Sequence, residues 1–121
     1  MLIPILVFGI SSDCPDVINL AVGLNLDQTE PIVFTALQTD CCSGTGYQIP
    51  FVECVNQRVN KVNWYNVGLN GTLNGTALPN AIQYLDLHSN QITGEIPTSF
   101  PTGLQYLSIS GNQMFQCCLL P

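Results

Sequence analysis

At 121 residues the chain is long enough for a single domain. Two lysines and arginines face eight aspartates and glutamates, a net charge of -6. That leaves too little positive charge to neutralise a phosphate backbone, and an anionic membrane surface would repel the chain. Charged residues make up 8 % of the sequence, against about a quarter in ordinary soluble domains, so uncharged polar groups, glycans or a covering partner must keep the surface in solution.

Leu2 to Ile10 is an apolar run too short to cross a bilayer. Gly9 and Ser11 have the small side chains and spacing that a signal peptidase prefers, so residues 1–11 read as a secretory signal, although no basic residue precedes the run. The competing reading is a buried strand at the start of the fold. From Pro15 to Leu26 the apolar residues Val17, Ile18, Ala21, Val22 and Leu24 fit an amphipathic helix, with Pro15 at an early position that helices tolerate. A second short helix is expected over residues 29–37, a loop over 39–46, and a short edge strand over 51–55. The six cysteines are Cys14, Cys41, Cys42, Cys54, Cys117 and Cys118. No C-x-x-C pair occurs and His88 is the single histidine, so a zinc site is a poor fit, and neither metal nor cofactor is expected. An even cysteine count in a short chain points to disulfides and an oxidising compartment.

Beyond residue 58 the sequence repeats itself. Val59-x-x-Val62-x-Trp64 with Leu69, Gly71 and Leu73 aligns with Ile82-x-x-Leu85-x-Leu87-x-x-Asn90-x-Ile92-x-Gly94-x-Ile96-Pro97 at an offset of 23 residues. Leu104-x-x-Leu107-x-Ile109-x-x-Asn112-x-Met114 follows at an offset of 22. Alternation within each core predicts a strand with Leu85 and Leu87 inward and Tyr84, Asp86 and His88 outward. The chain then turns back to lay a parallel strand beside the first. Asn90 and Asn112 fall where an amide can bond turn backbone, Gly94 permits a tight bend, and Pro97 fixes the return. Each unit buries its apolar face only against its neighbours. The expected fold is therefore α/β, a short right-handed solenoid with a parallel sheet behind a helical N-terminal segment.

These features resemble the plant-type extracellular leucine-rich-repeat proteins, the family of receptor-kinase ectodomains and polygalacturonase-inhibiting proteins. Residues 82–97 match its repeat L-x-x-L-x-L-x-x-N-x-L-x-G-x-I-P at every consensus position, with isoleucine for leucine twice. Asp40-Cys41-Cys42, Cys54 and Arg58-Val59 match elements of its N-terminal cap. Gly44, Thr45, Gly46 and Tyr47 stand where the cap usually carries a tryptophan, and Val67 takes the asparagine position of the first repeat. The resemblance implies a cap over residues 12–57, disulfides Cys14–Cys41 and Cys42–Cys54, and about three repeats over 58–121, the last incomplete. Under that scheme Cys117 and Cys118 have no internal partner. It further implies an extracellular module that binds a protein, peptide or carbohydrate.

Outward strand positions form three columns across the concave sheet: Lys61–Tyr84–Tyr106, Asn63–Asp86–Ser108 and Tyr65–His88–Ser110. Tyrosine offers a flat apolar face with a hydroxyl at its edge, which suits a peptide or a sugar. The plainer explanation is a solvated sheet face with tyrosine chosen for strand propensity. Asp86, His88 and Ser110 raise a hydrolase reading, but alternate strand positions sit about 7 Å apart and no nucleophile-elbow or oxyanion motif accompanies them, so the chain is read as non-catalytic. Asn70-Gly71-Thr72 and Asn74-Gly75-Thr76 are glycosylation sequons on a flank away from these columns. The leading expectation is a secreted recognition module. The alternative is a structural glycoprotein that stacks end to end into a fibre or matrix, with self-association through an uncapped last repeat.

Overall fold

The computed structural model describes residues 10–42 and 48–116. The expected leader up to residue 9, the positions Gly44 to Tyr47, and the tail with Cys117 and Cys118 lie outside the described residues.

Three helices open the chain: α1 (Cys14–Gly23), α2 (Leu26–Thr29) and α3 (Pro31–Thr39). Helix α1 buries Cys14, Val17, Leu20 and Ala21, one stripe at helical spacing. It stops three residues before the expected Leu26, because Asn25 adopts a left-handed conformation with φ 60°. Helix α3 begins at Pro31 and runs two residues past the expected end at Leu37. Ser11, the last residue of the expected leader, is buried. Its hydroxyl donates to the Gln57 carbonyl and accepts from the Asp13 N–H at 3.1 Å.

Strand β1 (Phe51–Val55) pairs antiparallel with β2 (Arg58–Asn63), and β2 continues in parallel to β3 (Tyr84–Asp86) and β5 (Tyr106–Ser108). A second, two-stranded parallel sheet pairs β4 (Thr93–Glu95) with β6 (Gln113–Phe115). From the sequence Gly94 is expected only at a bend. It lies at the centre of β4 with φ 90°, and strands of three residues are too short to show an alternating pattern. Between β2 and β4 the chain passes so close to α1 that a Cβ on Gly71 would stand 1.8 Å from the Gly23 carbonyl oxygen, so only glycine fits there.

Equivalent positions of the first two repeats form one core. Val59 and Ile82, Val62 and Leu85, Trp64 and Leu87, and Leu69 and Ile92 are each 0 % exposed. Their counterparts in the third repeat are not: Leu107 is 38 % exposed, and Leu104, Ile109 and Met114 are only partly buried. Covering what remains exposed of these four side chains would contribute on the order of 2–4 kcal/mol before entropic losses. Asn90 ties the turns together. Its Oδ1 accepts from Val67 N and Leu69 N, and its Nδ2 donates to the Trp64 and Leu87 carbonyls, all within 3.1 Å. Asn112 repeats the pattern one unit on, accepting from Ile92 N and donating to Leu87 and Ile109.

Two disulfides hold the N-terminal segment. Cys14–Cys41 fastens the start of α1 to the residues after α3, and Cys42–Cys54 fastens those residues to β1. A third tether is ionic. Asp13 is buried and accepts from Arg58 Nε at 2.8 Å and from Val59 N at 3.0 Å. This carboxylate holds the Arg58 guanidinium above its ordinary pKa, by hydrogen bond first and charge second.

Candidate functional site

The parallel register places Lys61 beside Tyr84 and Tyr84 beside Tyr106, and likewise Asn63 beside Asp86 and Ser108. Neighbouring strands stand about 4.8 Å apart, a spacing at which flat side chains in one column stack. The Tyr84 and Tyr106 rings lie 4.2 Å apart at 5°, and Lys61 Nζ sits 4.6 Å from the centre of the Tyr84 ring. Tyr84 is thus sandwiched between an ammonium and a phenol. Desolvation in that stack, then the adjoining Tyr106 hydroxyl, then the charges nearby, raise the Tyr84 phenol above its ordinary pKa of 10.0. Tyr106, 44 % exposed, keeps one ring face open.

In the next column Tyr65 stacks on His88, with centroids 4.7 Å apart at 4°. Here the geometry departs from what alternation alone predicts in two respects. Asp86 occupies an outward strand position yet is only 4 % exposed. Nor do Asp86 and His88 stand 7 Å apart: the His88 Nδ1 meets Asp86 Oδ1 at 2.5 Å, and the His88 backbone N–H donates to the same oxygen at 3.1 Å. The chain turns at the end of β3, where Ser89 has φ 59°, and this folds the imidazole back over the carboxylate. With Nδ1 engaged, Nε2 is the ring nitrogen left to face a ligand. No hydrogen bond joins His88 to Ser108 or Ser110, so the residues of the hydrolase reading do not form a linked triad. Strand spacing, which treats side chains as standing straight off the sheet, could not have shown the Asp86–His88 contact.

In the middle column Asn63 Oδ1 is buried without a hydrogen-bond partner. The face therefore combines stacked rings, one ammonium and a carboxylate-held imidazole. The four described cysteines are all in disulfides, so the one cluster of metal-type ligands among the described residues, Cys14, Cys41 and Cys42, is unavailable as thiolates.

Both sequon asparagines are exposed on the flank that meets the N-terminal helices. Asn70 accepts a hydrogen bond from Asn25, and Asn74 Oδ1 accepts from Thr76 N at 3.1 Å and from Thr76 Oγ1 at 2.7 Å.

Successive turns that lay parallel strands in register, the second and third closed by Asn90 and Asn112, define a repeat protein whose open sheet face is lined by aromatic and polar side chains. Residues 81–102 match the family model of the leucine rich repeat, and the strands on either side of that match continue its register. Among solved structures the chain is similar to the leucine-rich-repeat ectodomain of the receptor kinase SOBIR1 from Arabidopsis thaliana, at 19 % identity and a TM-score of 0.43, over 86 % of this chain and 68 % of that one. No curated protein matches the chain at a significant level.

Proposed function

We propose that this chain folds as a right-handed leucine-rich-repeat solenoid with an N-terminal cap over residues 12–57, and that it acts as a secreted, non-catalytic recognition module. Its ligand is an extracellular protein, peptide or glycan held on the concave sheet by Lys61, Asn63, Tyr65, Tyr84, Asp86, His88, Tyr106, Ser108 and Ser110. The carrying observation is the pair of ring stacks, Tyr84–Tyr106 and Tyr65–His88, standing side by side on one face. Stacked rings are rigid and lose little conformational freedom on binding, the property that makes tyrosine a common anchor. Two disulfides in so short a chain support an oxidising, extracellular compartment, and none of the described helices is long and apolar enough to cross a membrane. Residues 1–11 are proposed as the secretory leader, and Asn70 and Asn74 as glycan sites.

Peptide and oligosaccharide arrays probed with the disulfide-bonded chain test the reading. Ligands captured by the wild type should be lost with Tyr106→Ala and with Tyr65→Ala, and kept with Asn74→Gln. Binding indifferent to both tyrosine changes would place the ligand elsewhere.

A further inference from the structure

We propose that Tyr84 and Tyr106 form an oxidative coupling site, at which a one-electron oxidant joins the two rings into a dityrosine bond that ties β3 to β5. The register of the sheet builds the site. Tyr84 on β3 lies directly beside Tyr106 on β5 in a parallel pair, so the two side chains leave neighbouring strands in the same direction. Their rings stack with centroids 4.2 Å apart and an interplanar angle of 5°, and their hydroxyls adjoin. The rings are therefore aligned head to head, and each carbon ortho to oxygen lies over its counterpart. Lys61 Nζ covers the other face of Tyr84, 4.6 Å from the ring centre, which leaves the face towards Tyr106 as the one open to coupling.

Coupling needs two phenols whose radicals meet before either is quenched. A haem peroxidase using hydrogen peroxide supplies the oxidant. One electron and one proton leave each phenol, and the peroxide is reduced to two waters. Each phenoxyl radical carries unpaired spin on its ortho carbons. Facing rings let those carbons meet across the stack, where the two unpaired electrons become one carbon–carbon bond. Each coupled carbon then releases its hydrogen as a proton, the oxygen of the same ring takes one up, and both rings become aromatic again. The chain loses two hydrogens in all and gains one biaryl cross-link. Two disulfides point to an oxidising compartment, in which such an oxidant can persist.

Placement favours this pair over the other rings nearby. Tyr65 stacks on the imidazole of His88, with centroids 4.7 Å apart, so a radical there faces a ring that is harder to oxidise than a phenol. Trp64 is fully buried. Tyr106 is exposed and Tyr84 half-buried on the open sheet face, so electrons can leave the pair from the surface. The contact lies between two strands inside the described sheet and needs no free edge. The bond fastens the second repeat to the third, the repeat whose apolar side chains are the less covered.

Treatment of the dilute, disulfide-bonded chain with a haem peroxidase and hydrogen peroxide reads the outcome. The expected product shows the blue fluorescence of dityrosine and runs as a single chain on a denaturing gel. Peptide mapping should find the segment holding Tyr84 joined to the segment holding Tyr106, with a combined mass lower by two hydrogens. Tyr84→Phe and, separately, Tyr106→Phe should each abolish the fluorescence with circular dichroism unchanged, because phenylalanine keeps the stack but has no phenolic hydrogen to lose. Tyr65→Phe should leave it intact. Should a variant fail to fold, the wild type decides instead: the Tyr84–Tyr106 link should form in native buffer and fall away when the chain is oxidised in denaturant. Links that join separate chains, a link through Tyr65 in place of this pair, oxygen added to the rings with no link, or an equal yield in denaturant would each overturn the proposal. The inference does not depend on the ligand reading, because the coupling is measured on the chain alone.

Discussion

At the scale of single residues, Asn90 is the side chain whose loss should cost most for its size. It satisfies two N–H groups and two carbonyls of the turns around it. Asn90→Ala leaves those groups buried and unpaired, so the expected loss is about 3 kcal/mol or more in chemical denaturation. Asn112→Ala, nearer the open end and partly solvated, should cost about 1–2 kcal/mol. Equal effects would mean that the third repeat is as well packed as the second. Tyr84 gives a test by titration. Its phenol is held above 10.0 by desolvation and by Tyr106. The folded protein therefore holds this proton more tightly than the unfolded chain. Stability contributed by the group is complete below pH 10.0 and falls as pH rises through the higher folded value. Ultraviolet titration should show one tyrosine ionising late, and Tyr106→Phe should move it back towards the ordinary value; an unchanged titration would mean that Tyr106 plays no part. Residue identities made the three columns legible, since register follows from the repeat offset. They did not disclose that Asp86 is buried beneath His88, because that depends on how a turn folds one side chain over another.

Among the elements, those with long periods were readable and those with short ones were not. Helix α1 has a stripe of four buried residues, and β2, β3 and β5 recur at fixed offsets. Strands β4 and β6 span three residues each and are held by pairing between turns, which no local pattern signals. The helical segment is too small to hold its place by burial alone, so its attachments carry the stability. In the chain-entropy account Cys14–Cys41 is worth roughly 3.5 kcal/mol and Cys42–Cys54 roughly 3 kcal/mol. Replacing Cys14 and Cys41 by serine should therefore lower the unfolding free energy by about 3.5 kcal/mol. Asp13→Asn tests the ionic tether independently. It leaves the helix start in place but removes the charge that faces Arg58 and Val59, and amide exchange should quicken first at Val59. If instead all core amides quicken equally, the segment and the repeats unfold as one unit.

For the whole molecule the central problem is how a surface with so few charges stays in solution. Several large apolar side chains stand on the N-terminal helices and β1, among them Ile32 at 85 % exposure, Val22 at 49 % and Val55 at 53 %. The two sequons lie on the flank that adjoins this region, where Asn70 meets Asn25 and Asn74 sits near Leu20 and Gly23. Glycans there would shield apolar surface while leaving the tyrosine columns uncovered. Asn70 and Asn74 make their side-chain hydrogen bonds through Oδ1, which accepts from Asn25 and from Thr76 respectively, so these bonds do not use either amide nitrogen. Material from a eukaryotic secretory host should run heavy and shrink after glycosidase treatment. The trimmed chain should keep its circular dichroism but precipitate at lower concentration. Asn70→Gln and Asn74→Gln should each remove part of the added mass. An intact mass equal to the bare chain would show that neither site is used, and unchanged solubility after trimming would show that the surface is kept in solution by its uncharged polar groups alone.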